Sequence, residues 1–546
     1  MIQHFRFGAP LPTDSVVQDI PVSAGPVPFF TAEKGGWEYR MAPDAIVYGL
    51  GEMPRGINKR GWHYVTNNTD EARHSEDKLS YYGAHNFLLI DGGAGRECFG
   101  VFIDFPGKVR YDIGYTEYDT LRFSTEEPDY ELYIITGGDL NDISRQFRQL
   151  IGRNYIPPKW AFGLAQSRFG YKTAEDVREV ARQYKENDLT LDMICMDIDY
   201  MQDYADFTVN KQRFPDLAAL SAELKAQGIR LVPIIDAGVR IDPENPVCAE
   251  GLANGYFCTK ADGTPFVAAV WPGRRTLLYS RSSFIGSHRY GGIWLGDNAS
   301  TWAQLLANIQ MMPNVQLCGF LYTGADLCGF SYDTTPDLAL RWLEFGLFTP
   351  LMRNHSTDGS RMQEYYRFAD MLPALRKMLR LRYALLPYLY SEFMKAALEN
   401  TSYFRPLGFD FPADPDAREV QDQLLLGEGV MVAPIYTQNA SGRHVYLPEP
   451  MKLYRVRSVD DYDTELLPAG HHYVRCALDE VLLFIRPGHA VPVARPASCT
   501  AQLDETGLTL WACPDESGSA RCRMYTDDGE TSDFAAPEHW KVLGLN

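Results

Sequence analysis

The apolar positions of residues 1 to about 156 fall into short runs, with no sustained helical period. Runs at 45–50, 87–90 and 130–135 are separated by Gly, Asp and Pro residues. Short apolar runs between turn residues are typical of β-strands packed in two layers. We therefore predict an N-terminal β-sandwich over residues 1–156, ending at Pro157 and Pro158.

From residue 157 onward the pattern predicts alternating strands and helices. Thr173 and Asp176 have the spacing of a capping box, and apolar residues then recur with a helical period up to Tyr184. A second helix is predicted from Asp216 to the stop at Gly228. Further strands are predicted at 191–196, 231–235, 276–280, 292–295 and 320–323, and further helices at 302–312, 337–345 and 371–398. Repeated βα units with apolar strands indicate a parallel sheet, most simply a (β/α)8-type barrel over residues 157–399 with a small insertion near 239–273.

After residue 400 the apolar runs become short again, as at 428–433, 444–447 and 481–485. Turn residues separate these runs, which is typical of β-strands. We predict two small C-terminal β-sandwich domains, a proximal one over 400–480 and a distal one over 481–546.

Composition and charge narrow the class of protein. The 546 residues are 45% hydrophobic and 23% charged, as in globular proteins. The net charge of −19, with acids and bases interspersed, argues against a nucleic-acid partner. No run of ~18 apolar residues indicates a membrane span, and the first residues lack the apolar core of a signal peptide, so we expect a cytoplasmic protein. The ten cysteines include no CxxC pair and indicate neither a zinc site nor a disulfide framework.

The predicted strand ends carry the candidate chemistry, because active sites of (β/α) barrels gather there. Those ends hold Gln166, Arg168, Asp197, Asp199, Asp236, Arg281, Asp297, Asp326, Arg353 and His355. No metal-ligand spacing, phosphate loop or serine elbow accompanies them, so we expect no metal and no cofactor. Carboxylates rimmed by Phe169, Trp271, Trp294 and Phe330 suit a carbohydrate, and cleavage of a glycosidic bond needs two carboxyl groups.

Five motifs lie in order along the predicted barrel: Met196-Asp-Ile-Asp-Tyr-Met201, Val270-Trp-Pro-Gly273, Gly292-Ile-Trp-Leu-Gly-Asp-Asn298, Thr323-Gly-Ala-Asp-Leu-Cys-Gly-Phe330 and Met352-Arg-Asn-His355. Together they resemble glycoside hydrolase family 31, especially its bacterial α-glucosidases. The resemblance covers nearly the whole chain. It extends through Tyr48-Gly-Leu-Gly-Glu52 in the N-terminal region and through Asp422-Gln-Leu-Leu-Leu-Gly-Glu428 and Met524-Tyr-Thr-Asp-Asp-Gly529 near the C-terminus.

The resemblance implies a role for each matching residue. Asp297 matches the general acid/base; the structural alternative is an aspartate that caps the helix beginning at Thr301. Hydroxyls of the terminal sugar would be held by Asp197, Arg281, Asp326 and His355. Pocket walls would be formed by Trp271, Trp294 and Phe330, with Asp236 and Ile235 at the pocket edge. Asp70 resembles a residue of a loop that reaches over the pocket, although a solvated turn is the alternative, and Phe169 stands where several relatives have a different aromatic residue.

One family motif is missing from this sequence. The family's nucleophile is an aspartate in a Trp-x-Asp-Met-Asn-Glu type motif on the fourth strand, but here Gly273 runs straight into Arg274. The 45 residues from Asp236 to Arg281 contain no convincing further helix and strand. We therefore predict a barrel that lacks about one βα unit and its nucleophile. Asp236 and Asp326 are the only plausible substitutes, and by resemblance both face sugar hydroxyls.

Several functions remain compatible with this pattern. The first is a retaining, exo-acting α-glucosidase on short oligosaccharides, whose locus would encode the missing segment. The second is a catalytically dead sugar-binding or scaffold protein, and the third is an unstable remnant. An inverting mechanism lacks support, and a lyase or transglycosidase would need the same missing nucleophile. Linkage preference, sugar identity and oligomeric state are not determined by the sequence.

Overall fold

Two five-stranded sheets enclose an apolar core in the N-terminal region of the computed structural model, which describes residues 1–33, 35–70, 74–235, 245–255 and 277–545. The sheets have the orders β1-β11-β8-β7-β4 and β2-β3-β10-β9-β5, and their described pairings are antiparallel. The predicted N-terminal β-sandwich is confirmed. The strands are β1 (Ile2–Phe7), β2 (Thr31–Glu33), β3 (Gly36–Arg40), β4 (Ile46–Gly49), β5 (Trp62–Thr66), β6 (Gly83–Ala84), β7 (Phe87–Asp91), β8 (Phe99–Asp104), β9 (Val109–Ile113), β10 (Thr120–Thr125) and β11 (Tyr130–Thr136).

Helix α1 (Leu140–Ile151) links the sandwich to the next domain. Its apolar face packs on β7, β8 and β11, and the ring of Phe147 stacks on Phe87 with 3.6 Å between centroids. Burial of aromatic rings contributes strongly to such contacts. The helix therefore covers the sheet face that is turned away from the core of the sandwich.

Strands and helices alternate in the central domain, as predicted. They are β12 (Leu164–Arg168), α2 (Ala174–Glu186), β13 (Met193–Met196), α3 (Leu217–Ala226), β14 (Arg230–Pro233), α4 (Pro246–Asn254), β15 (Tyr279–Ser280), β16 (Ser283–Phe284), β17 (Gly292–Trp294), α5 (Trp302–Leu317), β18 (Thr323–Gly324), β19 (Asp326–Leu327), α6 (Pro336–Gly346), β20 (Met352–Asn354) and α7 (Leu372–Glu399). The capping box of Thr173 and Asp176 is present at α2. Helix α5 runs through Pro313 to Leu317, beyond its predicted end at residue 312, because its last turns are buried almost all round.

The strands of this domain pair in parallel, in the orders β14-β13-β12-β20-β19 and β15-β17-β18. Strands β18 and β19 follow each other directly and count as one position, so the parallel strands occupy seven positions within the described ranges. In the order of pairing, β14 and β15 are the first and the last of these positions. Within the described ranges, β14 pairs only with β13 and β15 only with β17. The predicted insertion near 239–273 lies outside the described residues except for 245–255.

The C-terminal region is again built from strands. Its elements are β21 (Phe404–Arg405), α8 (Pro415–Glu419), β22 (Leu424–Leu426), β23 (Val430–Val432), β24 (Gly442–Leu447), β25 (Met451–Ser458), β26 (Asp461–Leu467), β27 (Gly470–Arg475), β28 (Val481–Ile485), β29 (His489–Val493), β30 (Thr509–Cys513), β31 (Ala520–Tyr525) and β32 (Trp540–Leu545). Strands β21 to β23, β25, β26 and β28 form one sheet, which packs on the pair β24-β27, and β29 to β32 form a four-stranded sheet.

The predicted division between residues 480 and 481 is wrong. Strand β28 lies between β23 and β25 and pairs with both, so it belongs to the proximal sheet. Its apolar run completes that sheet's core, and the division falls after Ile485. None of the helices in the described part of the chain combines the length and apolar character needed to cross a membrane.

Candidate active site

Asp297 lies just after β17, at a turn that Gly296 makes with a φ of +69°. Its carboxylate is 16% exposed, and Oδ2 lies 3.4 Å from an Nη of Arg281. The other Nη of Arg281 lies 3.0 Å from Oδ1 of Asp70, which comes from the N-terminal domain. Helix α5 is capped by Thr301, whose hydroxyl accepts from the Gln304 amide at 3.2 Å. Asp297 is therefore not the cap of this helix but one member of a charged cluster.

Asp326 and Arg353 form the most deeply buried ion pair of this cluster. The two residues are opposite each other on the paired strands β19 and β20. Nε and Nη2 of Arg353 both donate to Oδ1 of Asp326, at 3.1 and 2.5 Å. Oδ2 of Asp326 is buried and has no hydrogen-bond partner among the described residues. This oxygen can accept a hydroxyl of a ligand, which would relieve the cost of leaving it unpaired.

Asp197 and His355 form the second polar contact between strand ends. Nε2 of His355 lies 3.7 Å from Oδ2 of Asp197, and Oδ1 of Asp197 accepts from the Ile198 amide at 2.8 Å. The ring of Phe330 stacks on His355 with 5.0 Å between centroids. An apolar ring face therefore adjoins a carboxylate, an arrangement that suits the polar edge and apolar face of a sugar.

Trp294 and Tyr279 enclose the guanidinium of Arg353. Its carbon lies 4.8 Å from the ring centroid of Trp294 and 5.5 Å from that of Tyr279, and the two rings meet edge to face. Nε1 of Trp294 is buried without an acceptor among the described residues. Sequence reasoning missed Tyr279. The sequence feature that could have identified Tyr279 is its position two residues before Arg281, since alternate residues of a strand share a face.

Burial sets the protonation behaviour of the cluster. It raises the pKa of Asp197 and of Asp297, in the latter case against the opposing effect of Arg281 and Arg353. It raises the pKa of Asp326 to about 7 although Arg353 opposes the shift. Burial also lowers the pKa of His355 well below its usual value, so this imidazole is neutral. A carboxyl with a raised pKa can keep a proton for donation near neutral pH.

Five further residues have a pocket role implied by the family resemblance. Asp70 is exposed but reaches Arg281, so its loop contacts the cluster. Phe169 donates its backbone amide to the Ser356 carbonyl at 3.0 Å, which ties the loop after β12 to the loop after β20, whereas Ile235 is 56% exposed. Asp236 and Trp271 lie outside the described residues.

The three described carboxylates that interact with Asp297 each have a cationic or imidazole neighbour. Asp70 pairs with Arg281, Asp197 faces His355, and Asp326 pairs with Arg353. A second catalytic carboxylate would have to be free to approach the reacting carbon from the side opposite Asp297. These three carboxylates therefore form a polar pocket around the acid/base candidate, but each is already placed beside a cation or an imidazole rather than standing alone as a nucleophile.

Known protein families match this chain along most of its length. The glycosyl hydrolases family 31 TIM-barrel domain matches residues 154–278 and 272–392. The C-terminal domain of the same family matches residues 400–491, and its N-terminal galactose mutarotase-like domain matches residues 27–112. The barrel family thus matches as two segments that meet at 272–278, around the junction of Gly273 and Arg274 where the nucleophile motif is missing.

Two curated relatives are α-glucosidases. Alpha-glucosidase 2 of Bacillus thermoamyloliquefaciens is 30% identical over 586 residues, which cover 91% of this chain and 73% of that enzyme. The lysosomal alpha-glucosidase of Bos taurus is 26% identical over 84% of this chain, which spans 62% of the bovine protein. The 586-residue alignment is longer than the 546-residue chain, so the bacterial enzyme has residues that this chain lacks.

Solved structures share the fold. The Flavobacterium johnsoniae GH31 dextranase complexed with isomaltotriose superposes with a TM-score of 0.81 at 21% identity, over 95% of this chain and 75% of the dextranase. A Tris-bound glucosidase II alpha subunit superposes with a TM-score of 0.83 at 22% identity, over 93% of this chain and 67% of that subunit.

Proposed function

This chain belongs to glycoside hydrolase family 31, and on that premise we propose that its pocket binds the terminal glucosyl unit of a short α-linked oligosaccharide, with Asp297 as general acid/base. One observation carries the proposal. The carboxylates of Asp197, Asp297 and Asp326 converge at strand ends with Arg281, Arg353 and His355. The pocket would therefore combine groups that bind a sugar with one acid/base residue, Asp297.

The described contacts suggest how a sugar would be held. Oδ2 of Asp326 would accept a hydroxyl, and Nε1 of Trp294 would donate to one, because both atoms are buried without partners among the described residues. Asp197 would accept a further hydroxyl through Oδ2, which lies 3.7 Å from Nε2 of the neutral His355. An ionised carboxylate accepts stronger hydrogen bonds than a neutral group, so these two aspartates would contribute most to affinity in their ionised forms. Phe330 would lie against the apolar face of the ring.

Asp297 would supply the proton in glycosidic cleavage. Its proton passes to the glycosidic oxygen as the bond from that oxygen to the anomeric carbon breaks. In a retaining enzyme a second carboxylate, about 5–5.5 Å from the first, attacks that carbon, and Asp297 then removes a proton from the water that releases the sugar. The Arg281 contact keeps the ionised form of Asp297 stable after the first proton transfer.

Turnover and binding test this proposal together. Calorimetry with maltose, isomaltose and a glucose-mimicking iminosugar should show binding, and hydrolysis of p-nitrophenyl α-glucoside should show turnover. Asp297→Asn should lower maltose hydrolysis by about 10²–10⁴-fold, the contribution typical of general acid catalysis. Asp358→Asn is the matched control, since Asp358 pairs with Lys172 in an exposed contact. Absence of binding to all three ligands would contradict the proposal.

A second candidate is a pocket that binds sugar without turnover. It is favoured by the missing motif at Gly273 and Arg274, the split match there, and the engaged state of the described carboxylates. The same experiment separates the candidates. Iminosugar binding without measurable hydrolysis would establish the second, whereas hydrolysis abolished by Asp297→Asn would eliminate it.

A further inference from the structure

The N-terminal domain enters the active site through a short parallel strand pair. Strand β6 pairs with β16, in the register Gly83 with Ser283 and Ala84 with Phe284. Strand β16 begins two residues after Arg281. The position of Arg281 in the charged cluster therefore depends on a strand of another domain.

The side chains of Asn68, His85 and Glu52 stabilise this strand pair through hydrogen bonds. Nδ2 of Asn68 donates to the carbonyls of Tyr82 and Ser283, both at 3.0 Å, and so joins the segments that carry the two strands. Nε2 of His85 lies 2.9 Å from the Ser283 hydroxyl. Oε2 of Glu52, which is fully buried, accepts from the Gly83 amide at 3.0 Å. Such a network of buried polar contacts holds the backbone around Tyr82 in one arrangement.

Tyr82 is the residue that this network presents to Asp297. A Cβ atom on Gly296 would lie 2.0 Å from Cε2 and 2.3 Å from Cδ2 of Tyr82, so an edge of the ring lies against the turn that carries Asp297. The guanidinium carbon of Arg281 lies 4.9 Å from the ring centroid. The Tyr82 hydroxyl is buried, has no hydrogen-bond partner among the described residues, and lies close to both the carboxyl and the backbone of Asp297.

We propose that Tyr82 is a positioning residue for Asp297: its ring fixes the Gly296 turn and the Arg281 side chain, and its hydroxyl donates to the ionised Asp297 carboxylate. This role rests on the proposed acid/base function of Asp297. It also makes the N-terminal domain part of the catalytic apparatus, because Tyr82 is held by Asn68, Glu52 and His85 of that domain through its backbone neighbours.

The electrostatic surroundings of Asp297 give the direction of the effect. Charged and titratable groups face it from several elements: Arg281, Arg353, Asp70, Asp197, Asp326 and Tyr82. Burial raises the pKa of Asp297, while the Tyr82 hydroxyl lowers it by favouring the ionised form. Burial also raises the pKa of Tyr82, so the hydroxyl keeps its proton and stays a donor. Removal of the hydroxyl alone should therefore raise the pKa of Asp297.

The first test measures Asp297 directly in the ligand-free protein. Carbon-13 NMR of protein labelled at aspartate Cγ would be recorded against pH, and the signal absent from Asp297→Asn assigned to Asp297. We expect Tyr82→Phe to raise the pKa of Asp297 by about one pH unit, since a lost hydrogen bond to the ionised form has that size. Tyr64→Phe is the control, because it removes another N-terminal tyrosine hydroxyl, bonded to the Lys59 carbonyl. Superposable titration curves for wild type and Tyr82→Phe would overturn the proposal.

A second variant separates the ring from the hydroxyl. Tyr82→Ala should weaken iminosugar binding at least about tenfold, because it frees the Gly296 turn and Arg281, whereas Tyr82→Phe should keep most of the affinity. Equal affinities of wild type and Tyr82→Ala would overturn the ring's role even if Tyr82→Ala melts at a lower temperature. Failure of the wild-type protein to bind the iminosugar would instead contradict the proposed function, and the NMR titration would still decide the role of the hydroxyl.

Discussion

Two sides of the barrel differ in how completely their strands are paired. On the recognition side, the ends of β12, β13, β17, β19 and β20, most strands have two partners and the polar residues form ion pairs. On the gap side, β14 and β15, each strand has a single partner within the described ranges. The residues proposed to hold a sugar come almost entirely from the recognition side, whereas the family's nucleophile would come from a unit between β14 and β15. We therefore expect sugar recognition and catalysis to be separable in this chain.

The largest expected effect concerns the buried ion pair of Asp326 and Arg353 on the recognition side. Arg353→Met leaves the buried carboxylate of Asp326 without a cation. Removing one partner of a buried ion pair costs about 3–5 kcal/mol, so we expect a large drop in melting temperature and loss of iminosugar binding. Differential scanning calorimetry measures the first effect and titration calorimetry the second.

Arg178→Ala is the matched control, since Arg178 pairs with Glu223 at the protein surface. Exposed pairs contribute only about 0–1 kcal/mol. If the two variants melted at similar temperatures, the pair of Asp326 and Arg353 would not stabilise the recognition side, and the contrast with the gap side would lose its energetic basis.

The pH dependence of stability provides a second test of the buried Asp326 carboxyl. The pKa of Asp326 is raised by burial to about 7 in the folded protein, against about 3.9 in an unfolded chain. The folded state then binds a proton that the unfolded state has released, so this residue makes stability fall as pH rises from 5 to 7, by about 2 kcal/mol. Asp326→Asn should remove that part of the slope. Melting temperatures of the two proteins across this range check it, and parallel curves would show that Asp326 does not titrate there.

Much of the recognition side could be predicted from the sequence because its residues sit in local motifs. The capping box of α2 and the strand ends that carry Asp197, Asp297 and Asp326 need only local periodicity and the parallel topology. The same reasoning explains why Asp70 was the weaker assignment. Its place beside Arg281 depends on a contact between domains that no local pattern records.

Other features depended on packing that the sequence does not show. Tyr82 and Tyr279 matter because of rings that lie against Gly296 and Arg353, and neither stands in a motif that implied it. Strand β28 was placed in the wrong domain because its apolar run looks the same in either sheet, and only its pairing with β23 and β25 decides. Pairing partners and interdomain contacts are properties of the folded chain, not of one segment.

A small external nucleophile tests the gap side. If the carboxylate opposite Asp297 is absent, azide should enter and attack the anomeric carbon of p-nitrophenyl α-glucoside from that face. The bond from this carbon to the phenolic oxygen breaks, p-nitrophenolate leaves with the electron pair, and β-glucosyl azide forms. We expect azide to raise p-nitrophenol release at least about tenfold, since a bound nucleophile gains from proximity. Absorbance and product chromatography measure it.

Asp197→Asn provides the control for azide rescue, because it should weaken substrate binding without opening the gap side further. No azide product from wild-type protein that binds the iminosugar would mean that the gap side is closed to the anomeric carbon. High hydrolysis without azide, unchanged by its addition, would mean that a carboxylate outside the described residues already acts there. Either result would contradict the expectation that sugar recognition and catalysis are separable in this chain.

The smallest expected effect concerns the aromatic part of the recognition side. Phe330→Leu removes the ring that stacks on His355, and such aromatic contacts are worth about 0.5–1.5 kcal/mol. Iminosugar binding should therefore weaken about two- to tenfold, as titration calorimetry would show.

The same replacement at Phe29 controls for general loosening of the protein, since Phe29 stacks on Phe99 in the N-terminal sandwich, with 4.1 Å between centroids. Phe29→Leu should leave the affinity unchanged. Equal losses in the two variants would show that stacking acts through overall stability. A loss confined to Phe330→Leu would instead mean that the pocket uses an apolar ring beside its carboxylates, which is the combination that a sugar requires and that a purely ionic ligand does not.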